Sequence, residues 1–159
     1  MYKVGLIGYG KWGKILHDKL TQITNVEFVC TSKDNYISKL EKVDWVFVAT
    51  PNDTHYEQVK HFIKQGINVF CEKPLTPTYK QSKELFKLAK KYNTKLYVND
   101  VFNYRNEQKH INKLTGNIKV IWNKKSNNTI YDLYYHDLYL LYPILKNKPN
   151  KINDILFEY

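Results

Sequence analysis

Three places in this sequence combine residue types and spacing that chemistry could use. The first is Gly8-Tyr9-Gly10-Lys11-Trp12-Gly13. In such a pattern the first glycine permits a tight turn, the second lets a pyrophosphate approach the main chain, and the third lets a helix pack closely on a strand. The pyrophosphate then caps the helix N-terminus, where unpaired N–H groups favour an anion. A purely structural turn is the alternative. The second place is Lys73, within Cys71-Glu72-Lys73-Pro74. A following proline restricts a residue to extended backbone, which can aim the ammonium into a crevice; taken alone, Lys73 reads equally as a surface lysine. Third, Asp132 and His136 are four apart and share one face if their segment is helical. A satisfied polar pair is the plainer reading of those two. His17, His55, His61 and His110 have no such partner arrangement and read as structural or surface residues.

These residues need elements to hold them. Lys3 to Ile7 is an apolar run ending at the glycine turn, and a helical stretch follows to about Thr21. Val26 to Thr31 reads as a strand, Tyr36 to Leu40 as a short helix, Trp45 to Ala49 as a strand, and Thr54 to Gln65 as a helix ended by Gly66. Ile67 to Cys71, the amphipathic helix Thr78 to Tyr92 and the strand Lys95 to Asn99 continue the alternation. Apolar strands alternating with helices imply a doubly wound parallel sheet of the Rossmann kind, α/β in class, covered on both faces. Its ligand edge is the carboxyl end of the strands, so Thr50-Pro51-Asn52 and Glu72-Lys73 should both face the cofactor crevice. Regularity breaks after Arg105. A strand at Ile118 to Asn123, a turn at Lys124 to Asn128, a helix at Ile130 to Leu145 and a closing strand at Ile152 to Phe157 suggest a second, small α+β unit. The expected division is 1–115 and 116–159.

The choice of cofactor turns on the end of the second strand, where an acidic residue about 20 positions after the glycines usually takes the ribose hydroxyls. Thr31-Ser32-Lys33-Asp34 puts a hydroxyl and a lysine there instead. A missing carboxylate spares a 2′-phosphate from repulsion, so Ser32 and Lys33 favour NADP over NAD. In the alternatives Asp34 swings back to the ribose, or Lys33 is merely solvated.

Composition excludes several classes of function. The net charge is +10, but of 25 basic residues only Arg105 is an arginine, and the lysines are scattered over solvated helix faces. Phosphate clamps and base readout favour arginine's planar fork, so no nucleic-acid partner is expected. A positive surface does suit anionic small ligands. No apolar stretch approaches the roughly 18 residues of a membrane span, and the two cysteines, Cys30 and Cys71, sit beside strand-like runs, which supports neither a disulfide framework nor a metal site. A cytoplasmic protein without a membrane partner is the expectation. Strand edges and the tyrosines Tyr131, Tyr134, Tyr135, Tyr139 and Tyr142 suggest a homo-oligomer.

Taken together, the glycine turn, Val48-Ala49-Thr50-Pro51-Asn52 followed by His55, Cys71-Glu72-Lys73-Pro74-Leu75, and Asp132-x-x-x-His136-Asp137 resemble the Gfo/Idh/MocA oxidoreductase family. Glu-Lys-Pro after the fourth strand is the most specific of these signals. The resemblance runs from Met1 to about Leu145 and implies a Rossmann domain followed by an open sheet, here shortened. It also implies hydride transfer between NAD or NADP and a hydroxyl or keto carbon of a sugar or sugar nucleotide. By the same resemblance Gly8 to Gly13, Ser32, Lys33, Thr50, Pro51, Asn52, His55, Glu72 and Lys73 surround the cofactor. Lys73, Asp132 and His136 surround the substrate carbon, with His136 as base and Lys73 stabilising the alkoxide. In place of the family's paired glycines before the aspartate, Asn127, Asn128 and Thr129 stand here.

Overall fold

Each of the five apolar runs expected to be strands between Lys3 and Asn99 is one. In a computed structural model, which describes residues 1–39, 42–104, 106 and 110, β1 is Lys3–Ile7, β2 Asn25–Cys30, β3 Trp45–Val48, β4 Asn68–Glu72 and β5 Leu96–Asn99. The helices are α1 (Lys11–Ile23), α2 (His55–Lys64) and α3 (Tyr79–Lys91), with one-turn 3-10 helices at Tyr36–Ser38, Asn52–Thr54 and Val101–Tyr104. Local chemistry sets the boundaries. Thr78 caps α3 by accepting from the N–H of Gln81, and Gly66, at φ +76°, turns the chain out of α2 as few residues other than glycine can.

The five strands lie parallel in the order β2-β1-β3-β4-β5. This is a doubly wound order whose direction reverses at β1, so the carboxyl ends of β1 and β3 flank the switch point at which such sheets take ligands. Right-handed crossovers then put α1 on one face and α2 and α3 on the other. Between β2 and β3 the described residues form only the turn at Tyr36–Ser38, shorter than the helix expected to Leu40.

Alternation along the strands divides side chains between the two faces. Val46, Val48, Val69 and Cys71 are buried with Val59, Phe62 and Ile63 of α2 and Leu85 and Ala89 of α3. Burying side chains of this size stabilises by about 1.5–3 kcal/mol each relative to leaving them exposed. Lys60 joins the two helices outside that core, 3.0 Å from Glu84 and 2.9 Å from the Tyr56 hydroxyl. On the opposite face Phe47 and Phe70 pack with ring centroids 4.9 Å apart. Both cysteines lie buried in strands, and burial pushes the Cys71 thiol pKa up from its ordinary value.

One irregularity marks the β1–β2 pair. Val4 pairs with Val26 but Gly5 pairs with Phe28, so Glu27 is skipped, the signature of a bulge in β2. A side chain on Gly5 would overlap the Phe28 ring, which lies over it.

The unit Met1–Asn99 contains this whole sheet. The expected boundary at residue 115, the elements placed at 116–159, and Asp132 and His136 all lie outside the described residues.

Candidate cofactor site

At the carboxyl end of β1 each glycine of the turn has its own reason. Gly8 has φ +95°, and a Cβ there would meet the carbonyl of Ala49 and the Thr50 side chain. Its N–H donates to Cys30 O at 2.8 Å, while the Ala49 N–H donates to Ile7 O at 2.7 Å, so the turn is stitched between β2 and β3. Gly13 lies in the first turns of α1, where a Cβ would overlap the carbonyl of Gly8. Gly10 differs: no atom lies within 4 Å of where its Cβ would be. Two of the glycines are therefore demanded by the protein's own backbone, and the third faces open space.

That open space is at a helix N-terminus. Gly10 is the N-cap of α1, with extended backbone, and no side chain caps the helix or places a carboxylate in its first turn. The leading N–H groups of α1 are thus left for a ligand, and the helix dipole and Lys11 favour a negative one. Tyr9 and Trp12 are exposed beside them, and the Lys14 ammonium lies 5.9 Å from the Tyr9 ring centre. An anionic pyrophosphate fits these residues.

The end of β2 is organised by Asp34. Its carboxylate accepts from the Thr31 N–H and the Thr31 hydroxyl, both at 2.7 Å. The main-chain bond, then the hydroxyl bond, holds its pKa below the usual carboxylate value. Ser32 and Lys33 form the exposed tip of this turn, and Asp34 is tied into its base.

Beyond β3 the turn Thr50-Pro51-Asn52 is fastened by the start of α2. Thr50 Oγ1 donates to Gln58 Oε1 at 2.6 Å, and Thr54 Oγ1 donates to Pro51 O at 2.7 Å. His55 is fully buried, with Nε2 2.9 Å from Thr50 O and Nδ1 2.9 Å from Pro74 O. Its ring acts on the main chain at both turns and presents no surface to a ligand, so it serves this edge through the backbone it holds. Glu72, at the end of β4, accepts a 2.6 Å hydrogen bond from Asn99 Nδ2, its neighbour on β5. Lys73 follows, half-buried, and its peptide bond to Pro74 is cis.

The structure thus brings Gly8 to Gly13, Thr50 to Asn52 and Glu72-Lys73 to one sheet edge. Gln58, Thr54 and Asn99 support that edge without having been expected to. Asn99 had a legible signal, its place at the carboxyl end of a strand beside Glu72; Thr54, the N-cap of α2, and Gln58, in its first turn, carried none.

Residues 17–100 match the family model described as the GFO/IDH/MocA oxidoreductase family, NAD-binding Rossmann fold. The chain belongs to the Gfo/Idh/MocA family. Among relatives, an uncharacterized oxidoreductase of Streptococcus pneumoniae is 36% identical over 86 residues, which is 54% of this chain and 23% of that protein. The scyllo-inositol 2-dehydrogenase (NADP(+)) IolW of Bacillus subtilis is 24% identical over 175 residues, 84% of this chain and 49% of that protein. The crystal structure of a probable dehydrogenase from Thermotoga maritima shares the fold with a TM-score of 0.60 at 23% identity, covering 70% of this chain and 39% of that one. The chain therefore spans less than half the length of the two curated relatives. Among the described residues no helix is long and apolar enough to cross a membrane.

Proposed function

We propose that the chain is an NAD(P)-dependent oxidoreductase acting on a hydroxyl or keto carbon of a sugar or sugar nucleotide. The observation that carries this reading is the shared edge: an open, uncapped helix N-terminus behind Gly10, and Lys73 leaving the end of β4 on the same side of the sheet. Once bound, the nicotinamide supplies or accepts the hydride. Lys73 stabilises the negative charge that develops on the substrate oxygen, and His136 takes or returns the hydroxyl proton with Asp132 orienting it. A neutral imidazole, with an ordinary pKa of about 6.5, suits that task near pH 7.

NADP is the preferred cofactor in this reading. Lys33 stands at the exposed tip of the β2 turn, while the Asp34 carboxylate is engaged by Thr31. Self-association in a cytoplasmic setting completes it, supported by the tyrosine-rich segment from Tyr131 to Tyr142 and by thiols buried in strands.

A thermal-shift series with NAD, NADP and sugar nucleotides, followed by turnover of reduced and oxidised nicotinamide on the same panel, tests the proposal. A ligand that binds only the native state raises its melting temperature, so NADP should give the largest rise among the cofactors. Cofactor binding without turnover of any panel member would leave a non-catalytic sensor or subunit. No response to either dinucleotide would end both readings.

A further inference from the structure

The glycine turn and the Lys73 turn are linked by a continuous series of contacts through one buried ring. Gly8 lies against Ala49 O and Thr50; Thr50 O is 2.9 Å from His55 Nε2; and His55 Nδ1 is 2.9 Å from Pro74 O, next to Lys73. Carbonyl oxygens only accept and a neutral imidazole carries one N–H, so the ring donates to one of the two carbonyls and lies against the other. It is fully buried at the first residue of α2, and a carbonyl left unpaired in such a place costs about 1–3 kcal/mol. Main-chain pairing holds the strands in register, yet between β3 and β4 it stops at Val48 and Cys71. Beyond that point the His55 ring, bonded to one turn and in contact with the other, joins the two.

We propose that His55 is a positioning residue: it fixes the Lys73 turn relative to the Thr50 turn, and so sets the lysine's place beside a bound nicotinamide. This rests on the reading of Lys73 as the group that faces the reacting carbon. A misplacement of about 1 Å at a reacting centre is enough to cost roughly a hundredfold in rate, and the cofactor's pyrophosphate end, built on the glycine turn, is untouched by it.

The test uses the full chain with His55→Ala and His55→Gln. Amide chemical shifts are read by NMR, cofactor affinity by calorimetry, and turnover on the sugar-nucleotide panel. Expected are shifts at Thr50 and Asn52 together with Glu72, Lys73 and Leu75, and a kcat lowered at least tenfold in His55→Ala with cofactor Kd within threefold. His55→Gln, which can still donate to one carbonyl, should keep more of kcat than His55→Ala. Unmoved amides at Glu72, Lys73 and Leu75, an unchanged kcat, or a loss of kcat matched by an equal loss of cofactor affinity would overturn the proposal. Failure of both variants to fold would do the same, making His55 an ordinary core residue. If the wild-type chain turns over nothing on the panel, the oxidoreductase reading fails, and the amide shifts alone decide whether the ring links the turns.

Discussion

The two halves of the ligand edge are built in opposite ways. At the end of β1 the site is made by missing side chains: Gly8 and Gly13 let main chain meet main chain, and Gly10 leaves a helix end bare. At the ends of β3 and β4 it is made by interlocking ones, with Thr50, Thr54, Gln58 and His55 tying two turns to the first turns of α2. In the proposed function the first half holds a ligand with backbone dipoles that need no orienting. In that same reading the second holds one ammonium at a defined place, and a flexible side chain can be so held only if its turn is rigid.

That contrast can be broken most severely at Lys73. Lys73→Ala should lower turnover by roughly 10²- to 10⁴-fold while cofactor affinity changes little, as steady-state kinetics beside calorimetric titration would show. Next comes Gly13. A methyl there overlaps a main-chain oxygen that no rotamer change can move, so Gly13→Ala should lower unfolding free energy by about 3 kcal/mol in urea titrations. Gly10→Val sharpens the contrast: its extended backbone and open surroundings admit a side chain, so stability should fall by only about the 1 kcal/mol of a poor N-cap. Affinity for either dinucleotide should nevertheless drop about a hundredfold, roughly 2.7 kcal/mol. Equal losses of stability at Gly10 and Gly13 would mean that the open space has been misassigned.

Smaller effects follow from charge. Lys33→Glu should reduce NADP affinity about tenfold and leave NAD affinity nearly unchanged, because only NADP carries the 2′-phosphate that Lys33 would attract. The smallest concerns His61, whose pKa burial lowers. Its unfolded form therefore takes up protons first, so stability should decline as pH falls below the ordinary histidine value of about 6.5. His61→Phe should flatten the urea midpoint between pH 7 and pH 5.5; an unaltered slope would assign that dependence to other groups.

How much of this was legible beforehand differs between the two halves for the same physical reason. Glycine spacing and apolar runs are local signals, so among the described residues the turn, the five strands and the three helices were readable from adjacent residues, with ends displaced by a residue or two. His55 shows where that reading stops. Its partners are the carbonyls of Thr50 and Pro74, and main-chain acceptors are present at every position, so no residue type announces them. Asp34 is similar: its return to Thr31 depends on the shape of a four-residue turn, which composition does not specify. The short Tyr36–Ser38 turn was expected to be longer because Ile37 and Leu40 extend the apolar pattern, and a weak periodicity of so few residues does not fix a helix's length.

The overlap of Gly5 with the Phe28 ring makes positions 5 and 28 joint tenants of one volume. Neither can be varied freely: Gly5→Val drives a side chain into the ring, and Phe28→Ala empties the space that the ring fills. The two changes together exchange the tenant and leave the volume occupied. Damage from each should therefore be largely cancelled in the pair, a strongly non-additive result between residues on neighbouring strands. Homologous chains that lengthen the side chain at position 5 are then expected to shorten the one at position 28, and the pair would vary as a unit.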